Sequence, residues 1–295
     1  MAFAAKNKKW LGYTLYVVLV TLALLYYLFP AQAVEEFVDN SVSRINPELG
    51  FKAETIRPWI PAGLRINAGQ IYLKDTSVPA VFEADSMYIG PRILKLIRGV
   101  YSIDLSGTAY KGEIKGFLHT EEGDGETYES ELSFKGFDLA DYEFLAEKLK
   151  HRVIGKLSGD IVYAKDSANA GGNGKVDLRL TDGQLQFQAP IFGIGSVDLQ
   201  NIDLQLELRN REITIVKAEL AGSEVKASMT GSIQLQSDIK FSQLNLKGTL
   251  EPLAEFYKNY PEIRELLKSM KKKVKRGQYF FAITGTIGEP KFRLL

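Results

Sequence analysis

Hydrophobic and polar positions follow three different rhythms along this chain. From Trp10 to Phe29 (WLGYTLYVVLVTLALLYYLF) there is none: 20 consecutive residues carry no charge. At 1.5 Å per residue, a helix of that length covers the ~30 Å hydrocarbon core of a bilayer. Next, Val34, Phe37, Val38, Val42 and Ile45 recur at spacings of three and four, which suits one face of a short helix. Asn46-Pro47 ends it, because the residue before proline is pushed out of the helical region. From Phe51 the period drops to two, the spacing of half-buried strands.

The period-two segments predict strands at Phe51–Arg57, Leu64–Leu73, Ala80–Ile89, Val100–Thr108, Glu113–Leu118 and Thr127–Lys135. A more regular series follows at Val153–Lys165, Gly174–Leu180, Gly183–Ala189, Ser196–Arg209, Glu212–Ala221, Glu224–Gln236, Lys240–Leu250, Gln278–Ile287 and Lys291–Leu294. The joints Thr181-Asp182-Gly183, Asn210-Arg211, Ala221-Gly222-Ser223 and Ser237-Asp238 are too short for helical crossovers, so consecutive strands pair antiparallel. Helices are expected at Pro91–Arg98, with proline at its start and Gly99 after it, and at Asp138–Lys150. In the latter, Asp138 is the N-cap and Leu139, Tyr142, Leu145 and Leu149 form one face. A last helix, Leu253–Arg276, is interrupted at Pro261 and ends at Gly277.

A twisted open sheet rarely exceeds about ten strands without curling or splitting. The expected fold class is therefore mainly β: a single N-terminal transmembrane helix, then a long antiparallel β-meander curled into a trough, partial barrel or elongated sandwich, with a few short helices. Its inner face would be apolar, most clearly at Leu199, Ile202, Leu204, Leu206 and Leu208 with Ile213, Ile215 and Val216. The chain divides into a cytoplasmic tail (1–9), a transmembrane helix (10–29), a juxtamembrane helix and linker (30–50) and a β-rich domain (51–295) outside the cytoplasm. That orientation follows from Lys6, Lys8 and Lys9 before the span and Glu35, Glu36 and Asp39 after it. Trp10, Tyr13, Tyr26 and Tyr27 stand where interfacial aromatics belong. One alternative is a cleaved secretory signal, since Ala31-Gln32-Ala33 resembles a cleavage site, although a signal's apolar region usually has about 7–15 residues; the other is a buried helix of a soluble protein.

Composition removes several classes of chemistry. Net charge is +1, so no overall basic field attracts nucleic acid. The chain has no cysteine and only two histidines, His119 and His151, which excludes a thiolate zinc site and a cysteine nucleophile and leaves little for a histidine-based site. Neither a phosphate-binding loop nor a metalloprotease or nucleophile-elbow motif is present, and no enzyme, cofactor or metal is expected. Glu121-Glu-Gly-Asp-Gly-Glu126 lacks the alternating ligands of a calcium loop and reads as an exposed turn.

One phrase recurs: an apolar residue, any residue, glycine, a small or polar residue, then in most copies an aliphatic one. It is centred on Gly107, Gly159, Gly231, Gly248 and Gly285, and the last copy runs on as Gly285-Thr-Ile-Gly-Glu-Pro-Lys-Phe292. Mid-strand glycine weakens a sheet unless backbones approach closely or the strand bends; these five read as curvature positions. A single N-terminal anchor, strands of this form and that closing phrase resemble the AsmA-like families of the bacterial envelope. Within them, the whole length and the Pro30–Ala33 juncture are most similar to the type II secretion system protein N family. The resemblance implies an inner-membrane protein with a periplasmic β-domain, an accessory to the secretion machinery with other secretion-system subunits as partners and no catalytic residues.

Two features are candidate interaction sites. Lys268, Lys271, Lys272, Lys273, Lys275 and Arg276 make the end of the last expected helix basic, suited to anionic headgroups, to a partner, or simply to solvent and the helix dipole. The second is the apolar inner face, which must be covered by lipid, a partner or a second copy if the sheet does not close. Two functions are therefore expected: a secretion accessory acting through protein contacts, or a lipid-binding or lipid-transfer protein holding acyl chains in an apolar trough.

Overall fold

The computed structural model describes residues 3–295 apart from 61, 75–77, 98–99, 121–126, 167–168, 192, 263–273 and 276. Side chains are described for the same residues except 3–9, 11, 25, 45, 166, 169–170, 191 and 274–275. Two helices, α1 (Phe3–Tyr27) and α2 (Ala31–Ile45), lead into one fifteen-stranded sheet. Its first half is β1 (Leu49–Pro58), β2 (Leu64–Leu73), β3 (Phe82–Pro91), helix α3 (Ile93–Leu96), β4 (Tyr101–Ala109), β5 (Gly112–Thr120), β6 (Tyr128–Asp138) and helix α4 (Glu143–Leu149). The second half is β7 (His151–Asp166), β8 (Asn169–Ile191), β9 (Ile194–Arg209), β10 (Glu212–Ala221), β11 (Val225–Gln234), β12 (Gln243–Pro252), helix α5 (Ala254–Asn259), β13 (Val274–Lys275), β14 (Gln278–Thr286) and β15 (Pro290–Leu294). Each strand from β1 to β12 pairs antiparallel with the next; β14 follows β12 and carries both β13 and β15. Among the described residues β1 pairs only with β2, so the meander is not closed.

Local chemistry explains the joints. Tyr110 and Lys111 both have positive φ (48° and 61°), as do Asn210 and Arg211 (50° and 64°), the conformation of two-residue hairpin turns whose twist matches the flanking strands. Asp138 accepts the Ala140 N–H at 3.0 Å, as an N-cap should, but it caps a single 3-10 turn (Leu139–Asp141) and α4 starts afresh at Glu143.

Several expectations need correction. Thr181-Asp182-Gly183 is not a hairpin joint: β8 runs through it, because residues on both sides keep the same neighbours, β7 and β9. The αL conformation of Asp182 (φ 53°) is absorbed as a bulge that bends the strand without reversing it. The last helix is confined to α5 and Pro261-Glu262 within the described residues, and Val274–Lys275 is strand, paired with Tyr279 and Gln278. The helix after Pro91 is one turn, Ile93–Leu96, since Pro91 itself completes β3. The loop Glu121–Glu126 lies outside the described residues.

α1 is helical as far as Tyr27, and its described side chains from Gly12 to Leu24 are exposed. Among the described residues no helix is long and apolar enough to cross a membrane; the side chains of residues 3–9, Leu11 and Leu25 lie outside that description. α2 packs on the free edge of β1 through its polar face. The Phe51 N–H donates to Asp39 Oδ1 at 2.7 Å and the Ala53 N–H to Glu35 Oε1 at 3.0 Å, while Ser43 Oγ donates to the Leu49 carbonyl at 3.1 Å. Four residues of helix rise about 6 Å and two of strand about 6.8 Å, so one helix face and one strand edge stay in step. Of the apolar face read from the spacing, Val34, Val38 and Val42 are half-buried, whereas Phe37 is exposed.

Candidate functional site on the apolar face

Directly paired residues on neighbouring strands share a face, so the register can be followed across the whole sheet. One row starts at Leu64 and continues through Ile89, Leu105, Gly116, Leu132 and Ile161. It goes on through Val176, Leu206, Ile215, Gly231, Leu246 and Ile283 to Phe292 without meeting a polar side chain. A second row runs beside it: Ile56, Ile66, Met87, Gly107, Ile114, Phe134, Gly159, Leu178, Leu204 and Ala218. The opposite face is polar, as in the row Arg57, Arg65, Tyr88, Ser106, Lys115, Ser133, Asp160, Asp177, Gln205 and Lys217.

The apolar rows are unevenly buried. Ile66 and Ile114 are buried, Val176, Leu178, Leu204 and Leu206 only half-buried, and Phe292 exposed. The densest part is a cluster of Ala84, Ala109, Ile114, Phe134 and Phe137, joined by Met87, Leu105, Leu132, Leu157, Ile161 and Leu178. The helices contact β1, β4 and β7 at the edge and ends of the sheet. Total accessible surface is 19735 Å², against about 12,500 Å² for a globular protein of 32.9 kDa. The exposed α1 and the half-covered sheet both contribute to that excess.

Of the stripe expected from the sequence, Ile202, Leu204, Leu206, Leu208, Ile213 and Ile215 fall on this face. Val216 does not: the register shifts between Ile215 and Lys217, and the valine is turned out to 51 % exposure.

All five recurring glycines stand in this apolar register. Gly107 lies between Met87 and Ile114, Gly159 between Phe134 and Leu178, and Gly231 between Ile215 and Leu246. Gly248 lies between Met229 and Phe281, and Gly285 between Leu244 and Pro290. A Cβ at Gly159 would stand 2.5 Å from the Asp177 carbonyl oxygen, and one at Gly248 equally close to that of Ser228 as well as against the Phe281 ring. At Gly231 (φ 134°) and Gly285 (φ 91°) the backbone also takes a conformation that L side chains rarely adopt. At Gly159 and Gly248 the space left by the missing side chain is used by a large neighbour, Leu178 and Phe281, whereas at Gly107, Gly231 and Gly285 it lets the adjacent backbone approach. Gly116, between Leu105 and Leu132, does the same without the recurring phrase; its signal is the pairing register, which a single sequence does not display.

The polar face is laced with exposed ion pairs. Asp203 accepts from Arg179 Nε at 2.9 Å and from Lys217 Nζ at 3.3 Å; Glu207 pairs with Arg209 at 2.9 Å. The Arg179 hydrogen bond, with Lys217 adding to it, holds the Asp203 carboxyl below its ordinary pKa. Such pairs add little stability each, but they keep this face wet. A shallow cleft of about 300 Å³ there is lined by Asp160, Asp177, Arg179, Asp203 and Lys217 among others. Among the described residues no three acidic, histidine or cysteine side chains gather as metal ligands would. Of the basic candidates, Lys268, Lys271, Lys272, Lys273 and Arg276 lie outside the described residues; the backbone of Lys275 is in β13. No family model, curated protein or solved structure matches this chain.

Proposed function

We propose that this chain is a membrane-anchored envelope protein whose open, apolar sheet face holds the acyl chains of lipids. The observation that carries the reading is the pair of apolar rows crossing ten or more strands with half-buried aliphatic side chains in their middle. A soluble monomer rarely leaves a contiguous apolar surface of this extent open. Acyl chains suit it because the face offers no hydrogen-bonding side chain along either row, so burial there is non-directional. The anchor is Trp10–Phe29, uncharged over 20 residues, with the tail before it cytoplasmic and the β-domain in the periplasm. The five glycines would let the sheet curve around its cargo.

The secretion-accessory reading is favoured by the closing phrase Gly285–Phe292, which forms the β14–β15 hairpin; there the same face would be covered by a protein subunit. A photo-crosslinking amino acid placed in the full chain separates the two. At Leu204, on the apolar face, the lipid reading expects adducts with phospholipid; at Gln205, on the polar face, it expects none. Adducts from Leu204 to a protein, and none to lipid, would establish the accessory reading instead, and equal lipid labelling at both positions would overturn the apolar-face assignment.

A further inference from the structure

The rim of the sheet where β1 turns into β2 and β3 into β4 exposes large apolar side chains that no strand needs. Trp59 is 47 % and Ile60 60 % exposed in the first joint; Leu94 and Ile97 are 78 % and 76 % exposed in and just after α3. Both joints are tied to the sheet at Trp59 and Arg92. The Trp59 N–H donates to the Gly63 carbonyl at 2.9 Å, and the indole is held edge-on to Tyr88 at 6.1 Å. α3 is tied down through Arg92, whose N–H donates to the Ser102 carbonyl at 2.8 Å and whose guanidinium bonds Asp104 at 2.7 Å. Between them lies an apolar cleft of about 410 Å³ lined by Ala62, Tyr88, Ile93 and Leu94.

Two observations identify what this rim meets. Cations surround the apolar tips: Arg57 and Arg65 are exposed and directly paired, Arg65 sits 5.8 Å from the Trp59 ring centroid, and Lys95 lies on α3 beside Leu94. Exposed tryptophan and aliphatics interleaved with Lys and Arg match a headgroup boundary carrying anionic lipid. The second is the direction of α2. Ser43, Asp39 and Glu35 face Leu49, Phe51 and Ala53 in turn, so moving back along α2 toward Pro30 is moving along β1 toward this rim. Ala31 lies about 6 Å beyond Glu35 and Pro58 about 17 Å beyond Ala53, so α1 leaves the body near the rim, not at the far end.

We infer that the rim formed by Trp59, Ile60, Leu94 and Ile97 seats itself in the headgroup layer of the bilayer that holds α1, with the neighbouring cations on anionic lipid. The inference rests on reading α1 as the anchor; it does not depend on what the apolar face carries. The chain contains two tryptophans, Trp10 and Trp59, which makes the test direct. The full chain carrying Trp10→Phe is reconstituted into vesicles of phosphatidylethanolamine and phosphatidylglycerol. Trp59 is expected to emit at blue-shifted wavelength, to be quenched by brominated phospholipid and to resist aqueous iodide. Adding Leu94→Asp with Ile97→Asp, both at exposed positions, should return it to iodide-accessible emission. Quenching of Trp59 by iodide but not by brominated lipid overturns the rim contact, as does a Trp59 signal unchanged by the two aspartates. The Trp59→Phe chain reports Trp10 alone; absence of lipid quenching there overturns the anchor, and the rim contact with it.

Discussion

Tyr110 shows how one residue can close a corner of this sheet. It occupies a left-handed turn position (φ 48°), yet its ring packs against Phe82, Phe137 and Tyr142 at centroid distances of 5.9, 5.8 and 5.2 Å. Its hydroxyl accepts the Glu83 N–H at 2.8 Å. Burial pushes the phenol pKa well above its ordinary 10.0, and burial raises Tyr142 as well. A raised folded pKa means that the unfolded chain ionises first. The stability tied to these groups is complete below about pH 10 and is lost as pH rises through the folded values. Tyr110→Phe should therefore cost about 1 kcal/mol at neutral pH through the lost hydrogen bond, yet decline less steeply above about pH 10 than the parent; urea midpoints across that range measure it, and parallel declines would refute the assignment. The strands expected at Val100–Thr108 and Glu113–Leu118 leave room for a turn between them, but nothing in the sequence marks Tyr110 as the residue that folds back over the sheet.

The element with most to teach is α2. Its apolar spacing is visible in the sequence and predicts a helix, and Val34, Val38 and Val42 are indeed half-buried. The interaction with the sheet, however, is made by Glu35, Asp39 and Ser43, whose four-residue spacing meets every second residue of β1. Exposed N–H groups on an edge strand are a template for another chain, and the two carboxylates occupy them here. Glu35→Ala and Asp39→Ala should each cost about 1 kcal/mol, given partial exposure, and the double variant should self-associate with rising concentration by light scattering. A monomeric double variant would mean that β1 needs no cap. The strands themselves were legible because alternation and polar joints coincide; Asp182 misled because αL residues serve bulges as well as hairpins. At the other edge, β15 is short and carries Pro290, Lys291 and Arg293, the residue types that blunt strand pairing.

At the scale of the whole molecule, the apolar stripes could be read strand by strand, but their alignment into unbroken rows could not, because register depends on bulges at Gly183, Gln200 and Val216 that alternation alone does not locate. An open sheet also has a measurable size. A compact chain of 295 residues would have a radius of gyration of about 19 Å. Neutron scattering with the detergent contrast-matched should give a clearly larger value; one near 19 Å would mean that the sheet has curled shut over its apolar face.

The strictly consecutive pairing also dictates an order of events during synthesis. Along most of the sheet a strand's partners lie one hairpin away, so average sequence separation is low and assembly is expected to be fast for so much β-structure. β1 and β2 are complete before the rest of the sheet has been made, and each later strand from β3 to β12 docks on an edge already waiting. The nascent chain can zip up from its N-terminal strands, exposing one unpaired apolar strand at a time.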